Sequence, residues 1–111
     1  MEPQRFPIGA FVRVVDLDLY EGTVVACEWR ESVKSYVYTV MHPFIGAGSD
    51  AVQTLKRYWS EKALTPCTPV LCDKHGGEKV WDHRFLPGQT LKEWRATPRT
   101  RCCPTCEREA K

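Results

Sequence analysis

The six residues 36–41, with the sequence YVYTVM, are the clearest β-strand signal in the chain. Aromatic and β-branched residues alternate there with the two-residue period of a strand that is buried on one side. Tyr36, Tyr38 and Val40 fall on one face of this strand, and the residues between and after them fall on the other. The surrounding sequence is therefore expected to form a β-sheet.

Strands are also predicted before this stretch. The runs 11–15 (FVRVV) and 23–29 (TVVACEW) are rich in the same residue types, which suit a pleated, half-buried surface. The Asp-containing segment 16–22 between them is expected to be a loop, in which Gly22 adopts the positive φ that glycine tolerates. The charged segment 30–32 is expected to form the turn that leads into the YVYTVM strand.

The sequence after this stretch is less regular. Residues 43–50 contain two glycines and are expected to form a loop. The segment 51–64 fits either an amphipathic helix or a strand, and it ends in a single helical turn at 60–64. Residues 65–71 are predicted as a short strand, which its two prolines confine to the edge of a sheet.

These elements predict a mainly β protein built on a small, strongly bent barrel of about five strands. A segment of roughly 65 residues is too short for a two-sheet sandwich, but it can roll five strands around one core. A domain boundary is predicted after Leu71. Residues 1–71, with a net charge of −1, form the barrel, and residues 72–111, with a net charge of +3, form a cysteine-rich basic extension.

The extension is predicted to contain a hairpin and a short helix. A Gly-Gly turn at 76–77 fits between the short runs 70–72 and 79–82. Thr90 and Glu93 form a capping box at the start of a helix that a proline ends a few residues later. Such a path brings the end of the chain back towards the start of the extension.

The composition excludes several classes of protein. The chain has 111 residues, whereas a (β/α)₈ barrel needs about 250. Its hydrophobic content of 42% is that of a folded domain. No run approaches the ~20 apolar residues of a membrane span, and the first residues lack the apolar core of a signal peptide. A cytoplasmic protein with no membrane partner and no small-molecule cofactor is therefore expected, and a net charge of +2 does not decide for or against nucleic acid.

Four motifs in the barrel segment form a recognisable pattern. They are Phe6-x-Ile8-Gly9-x-x-Val12-Arg13, Tyr20-x-Gly22-x-Val24-Val25, Tyr36-x-Tyr38-x-Val40-Met41 and Tyr58-x-x-Glu61-x-x-Leu64. Over residues 5–65 this pattern resembles the SH3-like barrels of the hemimethylated-DNA-binding (YccV-like) family. The resemblance implies a module that binds DNA or a protein rather than an enzyme. The extension lies outside the family pattern, and the family's long acidic insertion between the second and third strands is missing, which leaves the partner open.

Six cysteines in a chain this short require an explanation. In a reducing compartment, thiols stay free or bind metal rather than forming disulfides. Cys72-x-x-His75 and Cys103-x-x-Cys106 are two pairs whose spacing lets both side chains reach one ion from a tight turn. Together they predict a closed Cys₃His zinc site. A metal would supply the folding free energy that an extension poor in aliphatic residues lacks.

Other interpretations of the cysteines stay open. Cys67 or Cys102 could replace one of the four ligands, or the segment 99–111 could be a mobile basic end with free thiols. The Cys-Pro-Thr-Cys run at 103–106 also has redox spacing, but a thioredoxin-like site requires it at a helix start in a βαβ unit, which this sequence does not predict. Cys27, in the middle of a strand, is expected to be a small buried apolar residue.

The barrel segment contains more aromatic residues than a small core needs. In SH3-like modules, aromatic residues at loop ends form grooves that stack on bases, prolines or methylated cations. The predicted groove residues are Tyr20, Trp29 and Tyr36, with Glu61 at the closing helical turn, whereas Tyr38 is expected in the core. The main functional prediction is a non-enzymatic binding or adaptor module that recognises a protein or a nucleic acid through this groove.

Two alternative functions come from other parts of the sequence. Phosphates could be contacted, in a salt-sensitive way, by the basic residues Lys92, Arg95, Arg99 and Arg101. Glutamates between these residues weaken the positive electrostatic potential. The run Val52-Gln53-Thr54-Leu55 begins like the Val-Gln-Ile-Tyr pore run of type II dihydrofolate reductases, which are also small SH3-like barrels. It lacks the tyrosine, and no nucleophile–base arrangement or glycine-rich phosphate loop accompanies it. No NADPH-dependent turnover of dihydrofolate is expected.

Overall fold

The computed structural model describes residues 4–46 and 52–109. Within these residues the chain is mainly β, with seven strands and two short α-helices. It divides into two compact units. Unit 1 consists of Met1–His42 with Thr54–Pro69, and unit 2 consists of Pro43–Gln53 with Val70–Lys111.

Unit 1 is built on a curled, half-barrel sheet. Its strands are β1 (Phe11–Val14), β2 (Leu17–Arg30), β3 (Ser35–Ile45), β4 (Val52–Ser60) and β5 (Leu64–Pro66). The last residues of β3 and the first residues of β4 belong to unit 2. β1 pairs antiparallel with β5 on one side and with β2 on the other, β2 pairs antiparallel with β3, and β3 also pairs with β4. The prediction of a mainly β protein with a small barrel is confirmed.

The predicted loop at 16–22 is wrong. A turn at residues 15–16 joins the first two strands, and β2 begins at Leu17 and continues for 14 residues. Val14 pairs with Leu17 directly across this turn. The residues Leu17 and Leu19 alternate with charged residues at the period of a strand, and Glu21 to Thr23 continue the pairing with β1.

Gly22 has a structural role that differs from the predicted one. Its φ is not positive. The backbone of β3 instead passes so close that a Cβ atom on Gly22 would lie 1.9 Å from the carbonyl oxygen of Met41. Only glycine permits this approach, which occurs where β2 leaves β1 and begins to pair with β3 at Thr23 and Met41.

The ambiguous segment 51–64 contains a strand followed by one helical turn. After β4, Glu61–Ala63 forms the predicted helical turn, with 3₁₀ geometry, and leads directly into β5. The strand expected over 65–71 is shorter than predicted, because β5 ends at Pro66. Proline cannot donate to a strand ladder, although the N–H of the following Cys67 still donates to the carbonyl of Phe11 on β1 (3.1 Å).

The predicted loop at 43–50 is partly wrong. Residues 43–45 continue strand β3, which ends at Ile45. Residues 47–50 lie outside the described residues, so the predicted loop is not tested there. Pro43 is tolerated within β3 because a proline interrupts only one ladder hydrogen bond.

The core of unit 1 is centred on Tyr38. The buried side chains that form it are Phe6, Val12, Val14, Val24, Tyr38, Val40 and Leu64. The hydroxyl of Tyr38 accepts hydrogen bonds from the backbone N–H groups of Arg5 (2.9 Å) and Phe6 (3.3 Å) and donates one to Oε2 of Glu61 (2.9 Å). The predicted inward face of the YVYTVM strand is confirmed for Tyr38 and Val40, and the tyrosine hydroxyl is fully paired despite its burial.

Unit 2 has less regular structure. Its elements are β6 (Val80–Asp82), α1 (Leu91–Ala96), β7 (Thr100–Cys102) and α2 (Pro104–Glu109). β6 pairs antiparallel with β7 and parallel with the end of β3. The hydroxyl of Thr90 accepts from the backbone N–H of Glu93 at 3.2 Å, so the predicted helix cap is present. Leu71 and Glu78 form an antiparallel bridge around the predicted Gly-Gly turn.

The buried residues of unit 2 are few. Within its described part, the buried apolar side chains are Ile45, Cys72, Val80 and Cys103. Two of these four are cysteines nominated as metal ligands, so burial of aliphatic residues alone gives this unit a very small core. No helix in the described ranges is long and apolar enough to cross a membrane.

Candidate functional site

The four residues predicted to bind metal come together in unit 2. The potential ligand atoms of Cys72, His75, Cys103 and Cys106 all lie within 4.8 Å of one another. Among the described residues these four form the group with metal-binding geometry, and we refer to them as the Cys₃His cluster. They are close enough to hold a metal ion.

Local structure places each half of the cluster. Cys72 precedes a tight turn, in which its backbone N–H donates to the carbonyl of Gly77 (2.8 Å) and its carbonyl accepts from the N–H of Gly76 (2.7 Å). This turn folds His75 back over Cys72. Cys103 immediately precedes α2, and Cys106 lies in the first turn of that helix, so a two-residue gap again puts both sulfurs on one side.

The distances within the cluster match a tetrahedral ion. With metal–sulfur bonds of about 2.3 Å and metal–nitrogen bonds of about 2.0–2.1 Å, a tetrahedron has edges of roughly 3.5–3.8 Å. Nδ1 of His75 lies 3.3 Å from the sulfur of Cys106, 3.6 Å from that of Cys103 and 3.7 Å from that of Cys72. The sulfurs of Cys72 and Cys106 are 3.6 Å apart.

A carboxylate fixes the orientation of His75. Nε2 of its ring lies 3.0 Å from Oε1 of Glu109, while the other carboxylate oxygen accepts from Lys74 at 2.9 Å. When Nε2 donates its proton to Glu109, Nδ1 is left with a lone pair that points at the three sulfurs. This is the carboxylate–histidine arrangement that commonly supports a metal ligand.

The electrostatics of the cluster favour a mixture of charge states. The backbone N–H and then the ring of His75 lower the pKa of Cys72 to about 6. Cys72 and Glu109 in turn raise the pKa of His75 to about 8. The backbone N–H of Cys106 lowers the pKa of Cys103, whereas the neighbouring Cys72 raises the pKa of Cys106 to about 11. All three sulfurs could be thiolates together only with a cation between them.

The other cysteines lie apart from this cluster. Cys67 is in unit 1, where its thiol lies 3.7 Å from a carboxylate oxygen of Glu21. Cys102 is on β7, and burial is the main cause that raises its pKa to about 11. Cys27 is half-buried against the barrel core, and burial raises its pKa too. None of these three belongs to the group of four ligands.

A second candidate site lies in unit 1, and we call it the rim pocket. Its lining residues are Arg5, Trp29, Lys34, Ser35, Tyr36, Glu61 and Lys62, around a cavity of about 160 Å³. Three of the four predicted groove residues are therefore brought together. The aromatic, serine and glutamate side chains that line it are half-buried, whereas the three cations are exposed.

The aromatic residues of the rim pocket are held in a fixed arrangement. The rings of Trp29 and Tyr36 pack edge to face with centroids 5.1 Å apart. The indole Nε1 donates to Oε2 of Glu31 (2.9 Å), and the other oxygen of Glu31 is paired with Lys34. These two contacts, Lys34 first, lower the pKa of Glu31. These contacts hold the indole ring of Trp29 in place.

The fourth predicted groove residue, Tyr20, does not line the rim pocket. Its ring packs edge-on against His42 (centroids 5.4 Å apart) and against Trp59 (5.9 Å). Nε1 of Trp59 donates to Nε2 of the buried His42 at 2.9 Å. This aromatic cluster packs against the core, so Tyr20 has a packing role there.

The four predicted phosphate contacts lie in unit 2 with different surroundings. The guanidinium of Arg99 stacks on Trp94 at 3.9 Å from the ring centroid and donates to the carbonyl of that residue. Arg101 stacks on Trp81 at 4.2 Å. Lys92 and Arg95 are exposed on α1. Two of the four cations therefore cover tryptophan rings.

Sequence reasoning missed Glu109 and the cations of the rim pocket. Glu109 lies three residues after Cys106 on α2, a helical spacing that puts both on one face, but the sequence did not predict this helix. No family model, curated protein or solved structure matches this chain.

Proposed function

We propose that this chain is a non-enzymatic recognition module that binds its partner through the rim pocket of unit 1 and uses a zinc ion to hold unit 2 together. The observation that carries the binding function is the convergence of Trp29, Tyr36 and Glu61 on one cavity of about 160 Å³. The resemblance of residues 5–65 to YccV-like barrels, which are binding modules, supports the same class of function.

The size of the rim pocket favours binding of a partner over catalysis on a cofactor. Pockets that enclose a drug-sized ligand or cofactor usually measure about 300–1,000 Å³. A cavity of about 160 Å³ accepts one side chain or ring and leaves the rest of the ligand outside. That is how a peptide or polymer places one anchoring group in a pocket of its partner.

A partner-capture experiment with matched variants tests the binding function. Trp29→Ala removes the pocket's largest ring, and Tyr58→Ala removes a ring that is 59% exposed on β4 and does not line the pocket. We expect the unaltered chain and Tyr58→Ala to retain the same species from an extract of the native host and Trp29→Ala to lose it. If no retained species depends on Trp29, the proposed function is wrong.

The donor set supports zinc as the ion. Three thiolates and one imidazole suit zinc, whereas magnesium and calcium prefer oxygen ligands. Cys72, His75, Cys103 and Cys106 would occupy all four positions of a tetrahedron, so none remains for a substrate. The ion would therefore have a structural role, and its binding free energy would contribute to the folding of unit 2.

Elemental analysis of the purified chain tests the zinc site. We expect one zinc per chain, little zinc in Cys106→Ser, and a full equivalent in Cys102→Ser, which removes a neighbouring thiol outside the cluster. A chain purified under reducing conditions that neither contains zinc nor takes up one equivalent would overturn this assignment. Equal zinc content in the two serine variants would overturn it as well.

A further inference from the structure

We propose that the ligand of the rim pocket is one nucleotide unit of a single-stranded nucleic acid, with its base against Trp29 and Tyr36 and its phosphates at Arg5, Lys34 and Lys62. This inference rests on the proposed function because it assigns a ligand to the same pocket. Proteins that bind single strands combine aromatic side chains, on which bases stack, with cations that follow the backbone. The rim pocket has both features within one small cavity.

The residues that line the rim pocket differ in charge and in burial, and we call the half-buried ones its floor. The half-buried residues Trp29, Tyr36 and Glu61 form the floor, and the exposed cations stand around it. Among the described residues neither Arg5 nor Lys62 has an ion-pair partner, whereas Lys34 is paired with the exposed Glu31. Two unpaired cations against one lining carboxylate favour an anionic ligand whose charges lie outside the cavity.

The volume fits one flat ring. An engineered protein cavity of about 150 Å³ holds a benzene molecule, and the rim pocket measures about 160 Å³. A single base can therefore enter between the walls and contact the exposed face of an aromatic ring. The sugar and its phosphates would stay at the entrance, within reach of the long side chains of Arg5, Lys34 and Lys62.

Glu61 distinguishes a base from other ligands. Its Oε2 accepts the hydroxyl proton of Tyr38 (2.9 Å), and its other oxygen accepts no hydrogen bond from the described residues. Exocyclic amino groups and ring N–H groups of bases are donors that such an oxygen can accept. The carboxylate of an acidic peptide would instead meet a like charge at the floor, and a methylated lysine would meet three like charges at the rim.

The same geometry favours a single strand over a duplex. In a duplex the bases are stacked and paired, so inserting one into a cavity requires unstacking it at a cost of a few kcal/mol. Unpaired bases can be splayed out and stacked on protein side chains directly. A strand that is already unpaired therefore binds more tightly at this pocket than the duplex of the same sequence.

Fluorescence anisotropy with a labelled ten-nucleotide strand of mixed sequence tests this inference. We expect the single strand to bind at least ten-fold more tightly than its duplex. Neutralising two or three phosphates gives slopes of about −1.4 to −2.1 in log affinity against log salt, so affinity should fall about 7- to 20-fold between 50 and 200 mM salt. A duplex that binds as tightly as the strand, or an affinity that is insensitive to salt, would overturn the proposal.

Variants connect this binding to the rim pocket. Trp29→Ala should weaken it about five-fold or more, because stacking of one base is worth about 1–3 kcal/mol by alanine substitution. The double variant Lys34→Ala, Lys62→Ala should weaken it and flatten the salt dependence, and it alters only exposed side chains. Tyr58→Ala and Lys56→Ala, on β4 and outside the pocket, should leave the affinity within two-fold of the unaltered chain.

The outcomes separate the ligand from the proposed function. If an acidic peptide binds in a Trp29-dependent way and the strand does not, the nucleotide assignment is wrong while the recognition module stands. If the strand binds equally well to Trp29→Ala and to the double lysine variant, the nucleotide assignment is also wrong. If in addition no captured partner depends on Trp29, the proposed function fails with it.

Discussion

The two units of this chain differ in how many apolar side chains they bury. Unit 1 buries a cluster of seven apolar side chains that includes Tyr38. In the described part of unit 2 the buried apolar residues are Ile45, Val80 and the two cysteines Cys72 and Cys103. Burial of apolar area is the main driving force in small domains, and it is available to unit 1 but scarce in unit 2.

This difference assigns a separate origin of stability to each unit. Unit 1 should respond mainly to changes in packing and buried hydrogen bonds. Unit 2 should respond mainly to changes in the Cys₃His cluster and its supporting residues, because the proposed zinc ion would replace the missing core. The following predictions test this division, beginning with the largest expected effect.

The largest effect is expected from Gly22→Ala. The new Cβ would lie 1.9 Å from the carbonyl oxygen of Met41, and backbone atoms cannot move aside as a flexible side chain can. We expect a loss of about 3 kcal/mol or more in the free energy of unfolding, at the upper end of overpacking costs. Urea denaturation followed by circular dichroism measures it.

Gly77→Ala is the matched control in unit 2. No atom lies within 4 Å of a Cβ at Gly77, and its φ is not positive. We expect its stability to stay within about 0.5 kcal/mol of the unaltered chain. If both glycine variants lose the same stability, close packing of β2 against β3 is not what holds unit 1.

Tyr38→Phe should cost unit 1 about 1–3 kcal/mol. The variant keeps the ring but leaves the buried N–H of Phe6 without its acceptor, and it frees the carboxylate of Glu61. An unsatisfied buried donor carries its full desolvation penalty. Denaturant unfolding measures the loss, and metal content should stay the same; a loss of zinc in this variant would contradict the division between the units.

Glu109→Gln should weaken zinc binding about 10- to 100-fold, the usual cost of losing the partner of a metal-ligating histidine. Lys74→Ala is the control, since the side chain of Lys74 is paired with the other carboxylate oxygen and is 70% exposed. Exposed ion pairs contribute little, so we expect at most a two-fold change. Competition with a zinc-binding dye measures both, and equal affinities would show that Glu109 does not orient His75.

The smallest effect is the pH dependence that His42 gives to unit 1. The pKa of His42 is lowered mainly by burial and also by the positive charge of Arg57, whereas a hydrogen bond with the backbone of Glu21 raises it. The rings of Tyr20 and Trp59 also pack against His42. An unfolded chain takes up a proton near the ordinary value of 6.5, and the folded chain does so only at lower pH. Stability is therefore full above pH 6.5 and falls as the pH drops below it.

This loss is at most about 1.4 kcal/mol for each pH unit. Melting temperatures at pH 7.5 and pH 5.5 measure it. His42→Gln keeps an acceptor for Trp59 and removes the titrating ring, so the decrease between the two pH values should be smaller in this variant. An identical decrease in both proteins would exclude His42 as its source.

The sequence predicted those features that depend on local spacing. The alternation in YVYTVM requires only the geometry of one strand, and it placed Tyr38 and Val40 in the core correctly. The two Cys-containing pairs are each closed by a single turn, so their spacing indicated the ligands. Their convergence followed from the predicted hairpin between them.

Features that depend on pairing between distant segments could not be predicted. Whether Tyr20 reaches the rim pocket or packs against His42 is decided by how β2 lies against β3 and β4. The first half of β2 contains Asp18 and Gly22, residue types that are typical of a loop, and it is a strand because β1 pairs with it. Glu109 acquires its role only through α2, a helix too short to be stable by itself.

Residue-resolved hydrogen exchange, before and after a chelator removes zinc under reducing conditions, tests the account most directly. It predicts that the amide of Val24, bonded to Ala10 in unit 1, stays protected in the zinc-free chain, while the amides of Cys72 and Glu107 in unit 2 lose their protection. The account is contradicted if Cys72 and Glu107 exchange equally slowly with and without zinc, or if Val24 loses its protection together with them.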